Sequence, residues 1–212
     1  MSLRQALALS FLSLCCAPLA AATLDEGKLD PAWFGGVSEF READEIDYLW
    51  VAPGFSLDGK KVRFVEWPEP EFLGPKASER DAGDQRLARQ MNSTMHELFR
   101  DAFAGAFGGR LQVVDSGEDL RVEGRIVDCS TGAVAAKVLV GFGAGSGSTT
   151  VDVRFVDAAS GDTRMAIHHR SVSGTTWSTT DSKFVKWVDE VAEEGAKKGF
   201  DKLYAKGDRV KK

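Results

Sequence analysis

Along residues 84–107, Leu87, Met91, Met95, Leu98, Ala102 and Ala106 recur at steps of three and four, with Phe99, Phe103 and Phe107 in a flanking row. That spacing predicts an amphipathic helix starting at Asp84 and stopped by Gly108-Gly109. A second helical pattern follows the cluster Thr179-Thr180-Asp181-Ser182, whose hydroxyls and carboxylate suit an N-terminal cap. Phe184, Val188, Val191 and Gly195 lie on one side of it, with Val185, Ala192, Ala196, Phe200 and Leu203 in the adjacent strip. Elsewhere the period is two. Residues 119–128 alternate Leu120, Val122 and Ile126 with Arg121, Glu123 and Arg125, which predicts a strand with one buried and one wet face. Segments 46–54, 60–67, 111–115, 135–142, 149–157 and 163–172 also read as strands, the last two joined by a hairpin turn at AASGD. Half-wet strands and two amphipathic helices must bury one another's apolar faces. The expected fold is therefore α+β: a mixed or antiparallel sheet of about five to six strands with two amphipathic helices packed on one face.

The chain ends differ from this pattern. Residues 1–22, MSLRQALALSFLSLCCAPLAAA, place Arg4 before an apolar run (6–14) and close on Ala20-Ala21-Ala22. This is the layout of a secretory signal peptide cut before Thr23. The run is too short to anchor in a bilayer, and no transmembrane segment is expected after cleavage. Neither Cys15 nor Cys16 follows a small residue, so a soluble periplasmic protein is expected over a lipid-anchored one. Residues 23–45 read as an extended lead-in with aromatic anchors Trp33, Phe34 and Phe40, residues 46–204 as a single α+β domain, and 205–212 as a basic tail. The formal net charge of −5 becomes one unit more negative once Arg4 leaves with the leader. Such a balance argues against nucleic acid as a partner. Cys129 is the one cysteine beyond the leader, so packing rather than a disulfide must hold the fold.

Candidate chemistry is thin. Gly141, Gly143, Gly145 and Gly147 follow a strand pattern, but a dinucleotide loop needs a helix next, and TTVDVRFVD is a strand pattern. No cofactor is expected. His168 and His169 point to opposite faces of a regular strand and cannot share a metal there; if Met165 and Ile167 face inward, His169 is the inner one. No metal site is expected. Cys129 reads as a small packed residue, and Asp115, Glu118, Asp119, Asp128, Asp152 and Asp157 form no assignable acid–base pair. No catalytic residue emerges. Trp67 and Trp177 fall in predicted loops or strand ends, where exposed aromatics mark interfaces, and they are the candidate partner-binding surface.

The strand Val122-x-Gly124-x-Ile126, the GFGAG stretch, the V-x-V strand after it and the D-x-x-S-G of Asp157, Ser160 and Gly161 together resemble the DUF4410 family of bacterial exported proteins of unknown function. The resemblance covers most of residues 46–204. It implies a layered α+β domain similar to the periplasmic domains of envelope-assembly lipoproteins, and it carries no active site across. Many members look like lipoproteins, from which this leader departs. The expected function is a non-enzymatic binding or scaffold protein of the cell envelope, acting on an envelope protein partner or by self-association. The alternatives are a carrier of a small ligand or lipid, which needs an enclosed apolar pocket, and a hydrolase with an unrecognised carboxylate site.

Overall fold

The structure, a computed structural model, describes residues 28–37, 39–131, 147–172 and 180–204. The leader, the strand read over 135–142, Gly141, Gly143, Gly145, Trp177 and the basic tail lie outside the described residues.

Alternation in the sequence becomes one sheet. Its strands are β1 (Arg41–Ala43), β2 (Ile46–Val51), β3 (Lys60–Phe64), β4 (Leu111–Val113), β5 (Leu120–Ser130), β6 (Ser148–Asp157) and β7 (Thr163–Val172), in the spatial order β1-β2-β7-β6-β5-β3-β4. The sheet is mixed: β3 runs parallel to β4 and β5, and the other pairs are antiparallel. Seven strands among the described residues exceed the expected five to six. The unforeseen one is β1, inside the stretch read as an extended lead-in. Its three residues, paired to β2 across a tight turn at Asp44 and Glu45, are too few for alternation to register.

Helix α1 (Ala82–Phe107) links β3 to β4, the crossover that a parallel neighbour pair requires. Asp81 caps it by accepting from the Gly83 and Asp84 amides at 2.7 and 2.9 Å, and the Asp84 carboxylate accepts in return from the Asp81 amide. Its buried row is Ala88, Met91, Met95, Phe99, Phe103 and Phe107. The phenylalanines expected at the flank form its centre, while Leu87, Leu98, Ala102 and Ala106 sit at the margin. Large rings reach deepest into the space above the sheet, so they set the helix rotation. Helix α2 (Thr180–Lys198) follows β7 and buries Phe184, Trp187, Val188, Val191 and Ala192. Val185, expected in its inward strip, is 41% exposed.

Both helices lie on one sheet face, and their side chains fill the space between. Phe103 stands 5.5 Å from Phe155 of β6 and 6.1 Å from Phe200, and Phe99 lies 6.4 Å from Phe184, measured between ring centroids. All five rings are buried. The β6–β7 turn explains the D-x-x-S-G motif. The Asp157 carboxylate accepts from the Ala159 and Ser160 amides, each at 3.0 Å, and Gly161 takes the positive φ of 79° that closes the hairpin.

Candidate functional site

The sheet face opposite the helices holds most of the molecule's buried charge. Strand register lines it up in rows. Trp50, Ala166, Arg154 and Glu123 stand side by side on β2, β7, β6 and β5, and Tyr48, His168, Asp152 and Arg125 form the next row. A bulge in β5 between Ile126 and Asp128 then shifts the register, bringing Asp128 opposite Thr150 on this face and Cys129 opposite Thr149 on the helix face.

Each row is an ion-pair network. Asp152 accepts from Arg125 Nε at 2.9 Å and sits 2.8 Å from its Nη2, while its other oxygen lies 2.6 Å from His168 Nδ1. Asp152 and His168 are fully buried. Arg154 pairs with Glu123 at 2.7 Å. Asp128, only 1% exposed, receives Arg80 in a two-pronged bond at 2.7 and 2.8 Å and Lys28 at 2.9 Å. Burial alone would push the Asp128 carboxyl up, but the hydrogen bonds from Arg80 and Lys28 outweigh it and hold the group below its ordinary value. The same hydrogen bond to Asp128 raises the Arg80 guanidinium. Next to it, burial pushes the Cys129 thiol up to about 11, so it stays protonated near neutral pH.

The alternation of β5 predicts a wet face here, but the face is covered. Residues 28–37 lie across it as a strap. Lys28 reaches Asp128, Asp30 lies 3.4 Å from Arg125, and the Trp33 ring receives the Arg125 and Arg154 guanidiniums at 4.6 and 4.5 Å. Arg154 also donates to the Trp33 carbonyl. Phe34 is buried beneath, edge-on to Phe40 at 5.1 Å. His169 is on the helix side as expected, stacked on Trp187 at 4.1 Å, yet His168, beside Asp152 and Tyr48 on the other face, is the more deeply buried of the pair.

Of the two tryptophans proposed for a partner surface, Trp177 lies outside the described residues and Trp67 is a core residue, 7% exposed. Its indole packs on Gly124 and on Phe99, 5.5 Å away, and Asn92 ties down its carbonyl. Its place beside a proline-rich loop suggested exposure. The missing side chain at Gly124 is what lets it in. Asp152 and Asp128, noted in the sequence as wet or terminal carboxylates, prove to be the anchors of the charged face. Of their partners, Arg125 reads in the sequence as a wet-face residue, His168 as the outward histidine and Trp33 as an aromatic anchor, while Arg80 and Lys28 carry no assignment. A signal existed in the opposite charges at matching positions of adjacent strands, but reading it requires the register. Elsewhere, an open cleft of about 280 Å³ is lined by Glu69, Pro70, Phe72, Ala77, Gln85 and Arg89. No helix among the described residues is long and apolar enough to cross a membrane.

A family model described as a domain of unknown function (DUF4410) matches residues 57–176, more than half of the chain. No curated protein matches. Among solved structures, the PelC dodecamer from Paraburkholderia phytofirmans is similar at 10% identity and a TM-score of 0.46, covering 68% of this chain and 94% of that one. Protein XCC0632 from Xanthomonas campestris, of family model DUF330, is similar at 9% identity and a TM-score of 0.38, covering 69% and 88%.

Proposed function

The chain belongs to the DUF4410 family, and on that premise we propose that it is a non-enzymatic binding or scaffold protein of the cell envelope, working through a protein partner or through copies of itself. The observation that carries this reading is where the molecule spends its ionisable side chains. Arg125, Asp152 and His168 are tied together in one network and Asp128 and Arg80 in another that includes Lys28 of the strap, and neither is arrayed around a cleft. A general acid or base must reach the substrate proton, and buried partners in mutual ion pairs are poorly placed for that. The aromatic filling between sheet and helices supports the same reading over a lipid carrier, which would need that volume open. The leader-like pattern of residues 1–22 supports export.

In-cell crosslinking of the tagged full-length protein, with mass spectrometry of the envelope fraction, tests the reading. A recurrent stoichiometric adduct with an envelope protein or with the chain itself is the expected result. Recovery of uncrosslinked monomer alone overturns it. The cleft between the 69–72 segment and α1 favours a second reading, a small ligand held by Arg89, Glu69 and the Phe72 ring. Ligand-induced thermal shifts of the purified chain that vanish in Arg89→Ala would favour that reading instead.

A further inference from the structure

We infer that residues 28–37 are an exchangeable ligand: the charged sheet face that holds this segment also accepts it from a second copy of the chain. The inference concerns one surface and does not depend on the scaffold reading.

The mode of attachment carries the argument. The backbone-to-backbone hydrogen bonds described for the strap close its own turn, Gly35 N to Ala32 O at 3.1 Å and Gly36 N to Pro31 O at 2.8 Å, and its Trp33 carbonyl accepts from a side chain of the sheet, Arg154. The strap is held by side chains, as a bound peptide is. Its anchors are discrete: Lys28 on Asp128, Asp30 on Arg125, the Trp33 ring against Arg125 and Arg154, and Phe34 beneath. Charge and ring match their receptors, a carboxylate and an electron-rich indole meeting two guanidiniums. Past the last anchor, Phe34, the strap carries Gly35 and Gly36 with φ of 72° and 85°, a pair able to take another path out of the site at small steric cost. Exchange of an identical element between copies keeps every contact of the closed form, so its cost is that of association and not of lost contacts. The second copy is the occupant the chemistry selects, because it alone brings this same set of anchors by construction.

The test uses a fluorescein-labelled peptide of residues 26–37 and the chain from Thr23 to Lys212. Anisotropy should rise saturably on titration with chain carrying Trp33→Ala, whose own strap is loosened, and less steeply with the unaltered chain. Trp33→Ala in the peptide should weaken binding by about tenfold, the loss of a desolvated ring–guanidinium contact. Unlabelled Arg154→Ala chain, which keeps an intact strap but a weakened receptor, should displace the peptide. Absence of saturable binding to a Trp33→Ala chain that circular dichroism reports as folded overturns the inference, as does failure of the Arg154→Ala chain to compete. Should Trp33→Ala not fold, Asp30→Ala removes only the half-exposed anchor and is read in the same way.

Discussion

Gly124 and Trp67 show how one residue fixes a local structure. A Cβ at position 124 would overlap the Trp67 indole, and that ring already packs against Phe99. The glycine in Val122-x-Gly124-x-Ile126 is thus a receptor for a tryptophan from the segment after β3. This gives the family-like motif a packing reason with no bearing on catalysis. Gly124→Ala should destabilise the fold by about 1–3 kcal/mol, the range for overpacking a tight core. Trp67→Phe alone should also destabilise, but the double variant should lose less than the two single costs added together, since the smaller ring makes room. Urea denaturation of the four proteins measures this. Simple additivity would show that the two side chains do not compete for the space.

At the scale of elements, Asp128 joins three of them: β5, the strap through Lys28, and the turn entering α1 through Arg80. Removing that carboxylate strands two cations, so Asp128→Asn should cost about 3–5 kcal/mol, whereas Lys28→Met with Asp128→Leu and Arg80→Leu should cost far less. The pH dependence has a definite sign. Because the folded state holds the Asp128 carboxyl below its ordinary value of 3.8, its contribution is complete above that value and disappears as pH falls through the lower folded one. Proteolysis of the strap should therefore accelerate in acid below about pH 4 in the unaltered chain, and should lose that dependence in the triple apolar variant. Elements of this kind were partly legible in the sequence. Helix α1, helix α2, strands β5 to β7 and the Gly161 hairpin follow from local periodicity and turn chemistry, which are properties of neighbours along the chain. The charged face was not legible, because Arg125 finds Asp152, and Asp128 finds Lys28, only across register and a bulge. Trp33 reads in the sequence as an aromatic anchor, and its receptor is two arginines on different strands. Local pattern also placed Val185 inward, but Val185 is 41% exposed while Trp187 is buried.

On the scale of the whole molecule, the described residues make three layers of unequal cohesion. The helix layer and the sheet share an aromatic core and continuous backbone ladders through β5, β6 and β7, so they should open only together. The strap shares neither. Its ion pairs and ring contacts lie on the other side of the sheet, and the backbone-to-backbone hydrogen bonds described for it close its own turn. Regions with few apolar contacts and no ladder open sub-globally, at a free energy below that of complete unfolding. Native-state hydrogen exchange should therefore find the Ala32–Phe34 amides reaching exchange well before those of Val151, Val153 and Phe155, with little sensitivity to denaturant for the first group and steep sensitivity for the second. Salt screens the half-exposed Asp30–Arg125 pair more than the buried Lys28–Asp128 one, so high ionic strength should make strap opening slightly easier while the β6 amides hold. If the two groups instead share one opening free energy and one denaturant slope, the strap melts only with the sheet. Exchange between copies would then require global unfolding, and the sheet face would be a permanent seat for its own segment.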